Sequence, residues 1–392
     1  MTVISIDHQT RSRIFFSLYS AVFATMIGVG IVIPLLPRYV ATLGATGLWI
    51  GAIFSAFSLS RALFLPVFGK LSDNHGRRRL ILVGLCIYSL ISALYTVAGS
   101  VLEITALRFL HGIASAMVLP VAIAYISDIA PVGKEGRFVG SFASAISLGM
   151  GLGPFIGGTI SDLFTMNAVF HSMTLMSFLA LITALLFLPD IAPRQVQKYP
   201  LRNVITHKPL HGPVLYQLMY ALANGTFMVF LPILAIRDGE LSASETGIVI
   251  LVSVLSTPVF QHFFGRIADQ FDRYHLIAAG TAMIGVSLFI LPCLSGLAPY
   301  LAGALLMGIG RGISLPAMYA LVTVVGRDIG QGSASSLVNT ALSVGLIVSP
   351  LVSGVIMDMS GIHTVFFIAS VVSAGCTLVF FTMHNNTDST PW

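Results

Sequence analysis

Charge is what this chain lacks. Only 9% of its residues are Asp, Glu, Lys or Arg, against about 25% in a soluble domain. Hydrophobic residues reach 56% and the mean hydropathy is +0.92, so the chain is built for lipid. Cysteine is scarce as well. Cys86, Cys293 and Cys376 are odd in number and lie in separate apolar segments, which argues against a disulfide framework or a metal site. No Walker loop cradles a nucleotide phosphate and no nucleophile–base cluster is visible. An enzyme is therefore disfavoured and no cofactor is expected. The net charge of +5 is explained by membrane topology and is no nucleic-acid signal.

What is present is a run of apolar segments about 20 residues long, the length that crosses a bilayer. Arg11 and Arg13 precede an apolar stretch from Ile14 to Leu36. It is too long for a signal-peptide core and has no small-residue cleavage site, so it reads as a first span. The first half of the chain gives spans at 14–37, 47–68, 80–99, 104–127, 138–160 and 168–188. The second gives 213–235, 246–264, 275–295, 298–325, 333–356 and 364–383. The polar stretch 189–212 separates them. The expected organisation is an all-α integral membrane protein with domains 1–188 and 213–392 joined by a cytoplasmic linker, 189–212.

A shift of 196 positions superimposes the two halves. Gly69, Asp73 and Arg77 fall on Gly265, Asp269 and Arg273, and Gly149, Pro154 and Gly158 fall on Gly345, Pro350 and Gly354. Two copies of one unit predict twelve spans in two pseudo-symmetric six-helix bundles that rock about a shared midplane site. The positive-inside rule sets the orientation. With both termini in the cytoplasm, fifteen Lys and Arg lie on that side, Arg38 and Arg237 lie outside, and Arg61, Arg108 and Arg311 lie within spans.

Three motifs carry further content. Between spans 2 and 3 stands Gly69-Lys-Leu-Ser-Asp73-Asn-His-Gly76-Arg77-Arg78-Arg79. Gly69 suits a close approach of helix ends, Gly76 a tight turn, and Asp73 a helix cap or an arginine pair. Span 4 carries Arg108-Phe-Leu-His111-Gly112, and span 5 carries Gly149-Met-Gly151-Leu-Gly153-Pro154-Phe-Ile-Gly157-Gly158. The last is a small-residue packing face with a proline bend.

These segments resemble motifs A, B and C of the major facilitator superfamily, and the resemblance extends over essentially the whole chain. Motif A departs at Asn74 and His75 and motif B at His111; motif C matches throughout. The resemblance implies the superfamily's fold and, through motif C, the twelve-span drug:proton antiporter branch. It implies that motif A (Gly69, Asp73, Gly76, Arg77 and Arg78, with Asp128 as a plausible partner) latches the outward-facing state. Alternating-access export of small organic molecules against protons follows. The protein would be a monomer, multi-pass in the plasma (inner) membrane, with lipid, protons and a small molecule as its partners.

Proton coupling needs a group that titrates inside the membrane, yet none of the fifteen Asp and Glu residues lies near the middle of a span. Glu103, Asp128, His111 and His262 remain. Arg108 and His111 are three residues apart and share a helix face, so Arg108, His111 and Glu103 are the coupling candidates. A histidine hydrogen-bonded in packing is an equal alternative for His111. The midplane charge is positive, at Arg61, Arg108 and Arg311, which motivates an alternative: transport of organic anions or metabolites. A snorkelling arginine is the bland reading of Arg61 or Arg311. Other candidate cavity residues are Tyr216, Gln217, Tyr220 and Asn224 in span 7, Gln261 in span 8, Tyr319 in span 10 and Asn339 in span 11. Gly28, Gly30, Pro34 and Pro37 suit either a bendable gate in span 1 or helix packing.

Overall fold

The computed structural model describes residues 8–131, 135–189, 208–267, 271–329 and 331–387. The expected linker falls largely outside them, as does Asp269. Among the described residues the chain is helical throughout. The first repeat forms α1 (His8–Val32), α2 (Leu36–Thr42), α3 (Gly47–His75), α4 (Arg77–Leu94), α5 (Val101–Ile129), α6 (Glu135–Leu163) and α7 (Met166–Phe187). The second forms α8 (His211–Arg237), α9 (Ala243–Ile267), α10 (Arg273–Ile290), α11 (Leu297–Ile329), α12 (Gln331–Ser360) and α13 (Ile362–Thr387). Eleven of these helices are long and apolar enough to cross a membrane. The remaining predicted span, 80–99, corresponds to α4, whose first turn is occupied by Arg77, Arg78 and Arg79 ahead of an apolar Leu80–Leu94 run.

Two boundaries differ from the sequence expectation. The first span is not one helix but α1 and α2, broken between Val32 and Leu36. Pro34 and Pro37 have no N–H to donate to the preceding turn, so the hydrogen-bond ladder cannot run through. The expected loop between spans 2 and 3 is also mostly helix. α3 continues to His75, and a single residue, Gly76 at φ 91°, turns the chain into α4. Gly69 therefore lies within α3, and a Cβ added to it would meet nothing within 4 Å among the described residues. The close approach of helix ends expected there is not made.

Packing groups the chain into two units. In the first, α1 lies against α6 and α7, and α4 against α5 and α7. Its core contains Leu18, Val22, Leu85, Tyr125, Ile126 and Phe142. In the second, α8 lies against α12 and α13, and α10 against α11 and α13. These are the same pairings 196 residues on. The repeat extends to individual contacts. A Cβ on Gly112 would meet the Oγ of Ser60 and the carbonyl of Phe57, and one on Gly308 would meet the Oγ of Ser256 and the carbonyl of Ser253. Absent side chains at these crossings let backbones approach closely where lipid supplies no hydrophobic drive.

The division departs from chain order at one place, because Val40–Ser55 packs with the second repeat. Gly47 and Gly51, without side chains, bring the start of α3 onto Gly354 and the Pro350 carbonyl of α12. The carboxylate of Asp358 accepts from Gly47 N–H at 2.6 Å and Leu48 N–H at 2.8 Å, and Ser55 donates to the carbonyl of Ile347 at 2.6 Å. Asp358 thus caps, from another helix, the unsatisfied first turn of α3. Losing such a cap costs about 0.5–2 kcal/mol. Asp358→Ala should therefore speed hydrogen exchange of the first-turn amides of α3 by about 2- to 30-fold. Unchanged exchange would show that the carboxylate does not hold this turn.

Candidate functional site

At the junction of α3 and α4 the first unit clips three helices together. Arg77, 5% exposed, pairs through Nε with Asp128 of α5 and through Nη2 with Asp73 of α3 at 3.3 Å. Its Nη1 also donates to Ser72 Oγ at 3.4 Å. Arg78 donates to the carbonyl of Leu185 at 3.2 Å, tying α4 to α7. In the second unit the corresponding turn is built differently. Asp272 occupies the position of Gly76 and caps α10 by accepting from His275 N–H at 2.9 Å.

A buried centre lies deeper in the first unit, on α3, α4 and α5. His111 is 1% exposed, and among the described residues neither ring nitrogen has a hydrogen-bond partner. Aromatic rings surround it, with Tyr88 at 3.8 Å between centroids, Tyr95 at 5.9 Å and Phe57 edge-on at 6.1 Å. The guanidinium of Arg108 stands over Phe57, 4.7 Å from its centroid. Arg61 and Arg108 both lie within electrostatic range of Tyr88. Glu103 takes no part in this group. Its carboxylate accepts from Gly99 N–H at 2.8 Å and Ser100 N–H at 3.2 Å, and Ser100 Oγ accepts in turn from Glu103 N–H. That is a capping box at the start of α5.

The motif C residues form the face of α6 toward α1. A Cβ on Gly153 would stand 2.6 Å from Gly30 Cα, and one on Gly149 2.6 Å from Met26 Cβ. Gly157 lies against the backbone of Ile31, and Pro154 and Gly158 are buried.

The second unit holds its own buried arginine. Arg311 of α11 is 3% exposed and donates through Nη1 to Ser253 Oγ of α9 at 3.4 Å. Its carbon Cζ stands 5.9 Å from the centroid of Tyr220 and 5.4 Å from that of Phe227, both on α8. Tyr216 stacks on Tyr220 at 6.1 Å and shares a hydrogen bond with Ser314 at 2.8 Å. Tyr319 lies within electrostatic range of Tyr220. Asn224 and Gln261 are half-buried and Asn339 is exposed; no hydrogen bond joins them to Arg311 among the described residues. An arginine within a span costs about 2.5–3.5 kcal/mol to insert. Aromatic faces and one long hydrogen bond offset only part of this.

Sequence reasoning missed Phe57, Tyr88, Tyr95, Phe227 and Ser253, because an aromatic or serine in an apolar helix reads as packing. One signal was available. The 196-residue shift places Phe57 on Ser253, and each of these touches the buried arginine of its own unit.

Comparison with known proteins agrees with this architecture. The sequence profile of the Major Facilitator Superfamily matches residues 18–213 and 213–391. The chain is 29% identical to an uncharacterised MFS-type transporter of Methanocaldococcus jannaschii over 370 residues, 91% of this chain and 95% of the relative. It is 26% identical to the quinolone resistance protein NorA of Staphylococcus aureus over 370 residues, 93% of this chain and 95% of that protein. Among solved structures, a bacterial homologue of the human lysosomal transporter Spinster superposes with a TM-score of 0.80 at 15% identity, covering 99% of both chains. With the same helix pairings repeated 196 residues on in a chain matched nearly end to end, the protein belongs to the Major Facilitator Superfamily of membrane transporters.

Proposed function

We propose that this transporter exports small organic molecules in exchange for protons by alternating access, from the plasma (inner) membrane with both termini in the cytoplasm. The direction is supported by the motif C face of α6 and by similarity to a protein named for quinolone resistance. The coupling is carried by one observation, the buried His111 with neither ring nitrogen partnered among the described residues. A neutral imidazole always retains one acceptor lone pair, so His111 can take up a proton wherever water reaches it. Once charged, it stands on the same helix face as the Arg108 guanidinium. Like charges at this spacing repel, so the protonated state favours a rearrangement that separates or hydrates them. Glu103, satisfied by its capping box, is set aside as the coupling group. The Asp73–Arg77–Asp128 clip serves as the latch that biases one conformation over the other.

The test is transport in proteoliposomes with an imposed pH gradient, read with a cationic dye. His111→Gln should lose gradient-driven accumulation by at least about tenfold, the loss of a 1.4 kcal/mol bias. It should retain dye-for-dye exchange at equal pH, because exchange requires no proton. Gradient-driven accumulation at the native level in His111→Gln removes the histidine from the coupling mechanism.

A further inference from the structure

We infer that Arg311 is the carboxylate-binding residue of a substrate site in the second unit, so that the substrates include organic anions with a flat apolar body. This rests on the transporter of small organic molecules proposed above and narrows its substrate class. Of the guanidinium's three nitrogens, Nη1 is held by Ser253 Oγ at 3.4 Å, while Nε and Nη2 have no hydrogen-bond partner among the described residues. Those two form one edge of the fork. Two parallel N–H groups on one edge match the two oxygens of a carboxylate. The unused donors are therefore a ready bidentate slot rather than scattered vacancies.

The surroundings favour an anion for charge and an aromatic body for shape. No carboxylate pairs with Arg311 among the described residues, whereas the equally buried Arg77 is matched by two. A bound anion supplies the missing counter-charge, and a cation would add to the repulsion. Tyr220 and Phe227 are seven residues apart on α8, two turns along one face. Both rings stand by the guanidinium at 5.9 and 5.4 Å, on the flanks where the ring of a planar acid would lie. Tyr216 offers no competing donor, since its hydroxyl is engaged with Ser314 at 2.8 Å. Tyr220 is half-buried, and its ring is the cover that moves to admit a ligand.

The experiment is equilibrium binding to the full-length protein in nanodiscs, without any gradient, using 2-naphthoate and its neutral isostere 2-naphthamide. The native protein should prefer the acid by at least about tenfold. In Arg311→Lys, which keeps the charge and loses the edge, and in Arg311→Gln, the preference should fall to within about twofold. A native-like circular dichroism spectrum with a cooperative melt shows that a variant is folded, and Arg311→Lys decides if Arg311→Gln does not fold. Equal binding of acid and amide by the native protein overturns the assignment, as does an undiminished preference in folded Arg311→Lys. Because no pH gradient is involved, the outcome is separable from proton coupling. A lost preference with intact dye export removes only the anion site. A preference without any gradient-driven transport removes only the exporter reading.

Discussion

Asp128→Asn should be among the most destabilising conservative substitutions in the first unit, lowering its stability by about 3–5 kcal/mol. The side chain of Arg77 is 7% exposed and its two carboxylates are not equivalent. The side chain of Asp128 is 12% exposed and that of Asp73 is 52%. Removing the better-buried partner leaves a desolvated charge with only the largely exposed Asp73 carboxylate beside it, and that penalty exceeds the net worth of the pair. Removing the exposed partner costs little, because water already screens it; Asp73→Asn should change stability by less than about 1 kcal/mol. The double variant Arg77→Gln/Asp128→Asn should be less destabilised than Asp128→Asn alone, since no orphaned charge remains. Thermal unfolding in detergent, followed by circular dichroism, reads all three. Equal melting temperatures for Asp73→Asn and Asp128→Asn would sink the asymmetry. A double variant worse than Asp128→Asn would show that Arg77 has other indispensable contacts.

The same contrast between local and long-range information explains what the chain disclosed before folding. Spans and the twofold repeat were legible because each is a statement about composition along one segment or about a fixed offset. Arg311 stood out because a charge in an apolar helix is costly wherever it points. Arg77 and Asp128 could be matched because both sit at the same end of neighbouring spans. The packing of Val40–Ser55 with the second repeat was not legible. It depends on Gly47 and Gly51 meeting Gly354 and Pro350 about 300 residues away, and no local pattern encodes that partner. Gly69 shows the converse failure. A motif position that suggested close approach lies within α3 with no described atom within 4 Å of an added Cβ, so the spacing alone did not reveal its surroundings. The aromatic rings around His111 and Arg311 were hidden for a third reason. Phe57, Tyr88 and Phe227 look like any other apolar residue until a charge is placed beside them.

The packing face of α6 gives the second large effect, and it separates glycines that look alike in sequence. Gly153→Leu should destabilise the first unit by about 3 kcal/mol, at or beyond the upper end for an overpacked core. A Cβ on Gly153 would lie 2.6 Å from Gly30 Cα, 2.8 Å from Gly30 C and 2.8 Å from the Ile27 carbonyl. All three are backbone atoms of α1, so no rotamer change relieves the clash, and α1 and α6 must move apart along their whole crossing. Gly30→Ala should be milder. Its Cβ would meet Gly153 Cα and the Pro154 ring at 3.0 Å, a distance that a small shift accommodates. Gly375 of α13 is the control, with nothing within 4 Å of the added carbon. Gly375→Ala should stabilise α13 by about 0.5–1 kcal/mol, because alanine restricts the unfolded chain and glycine does not. The order of melting temperatures, Gly375→Ala above native, then Gly30→Ala, then Gly153→Leu, follows from backbone geometry alone. Propensity alone would rank all three substitutions as gains, since each replaces glycine within a helix. A melting temperature for Gly153→Leu at or above native would mean that α1 and α6 do not cross at Gly30 and Gly153.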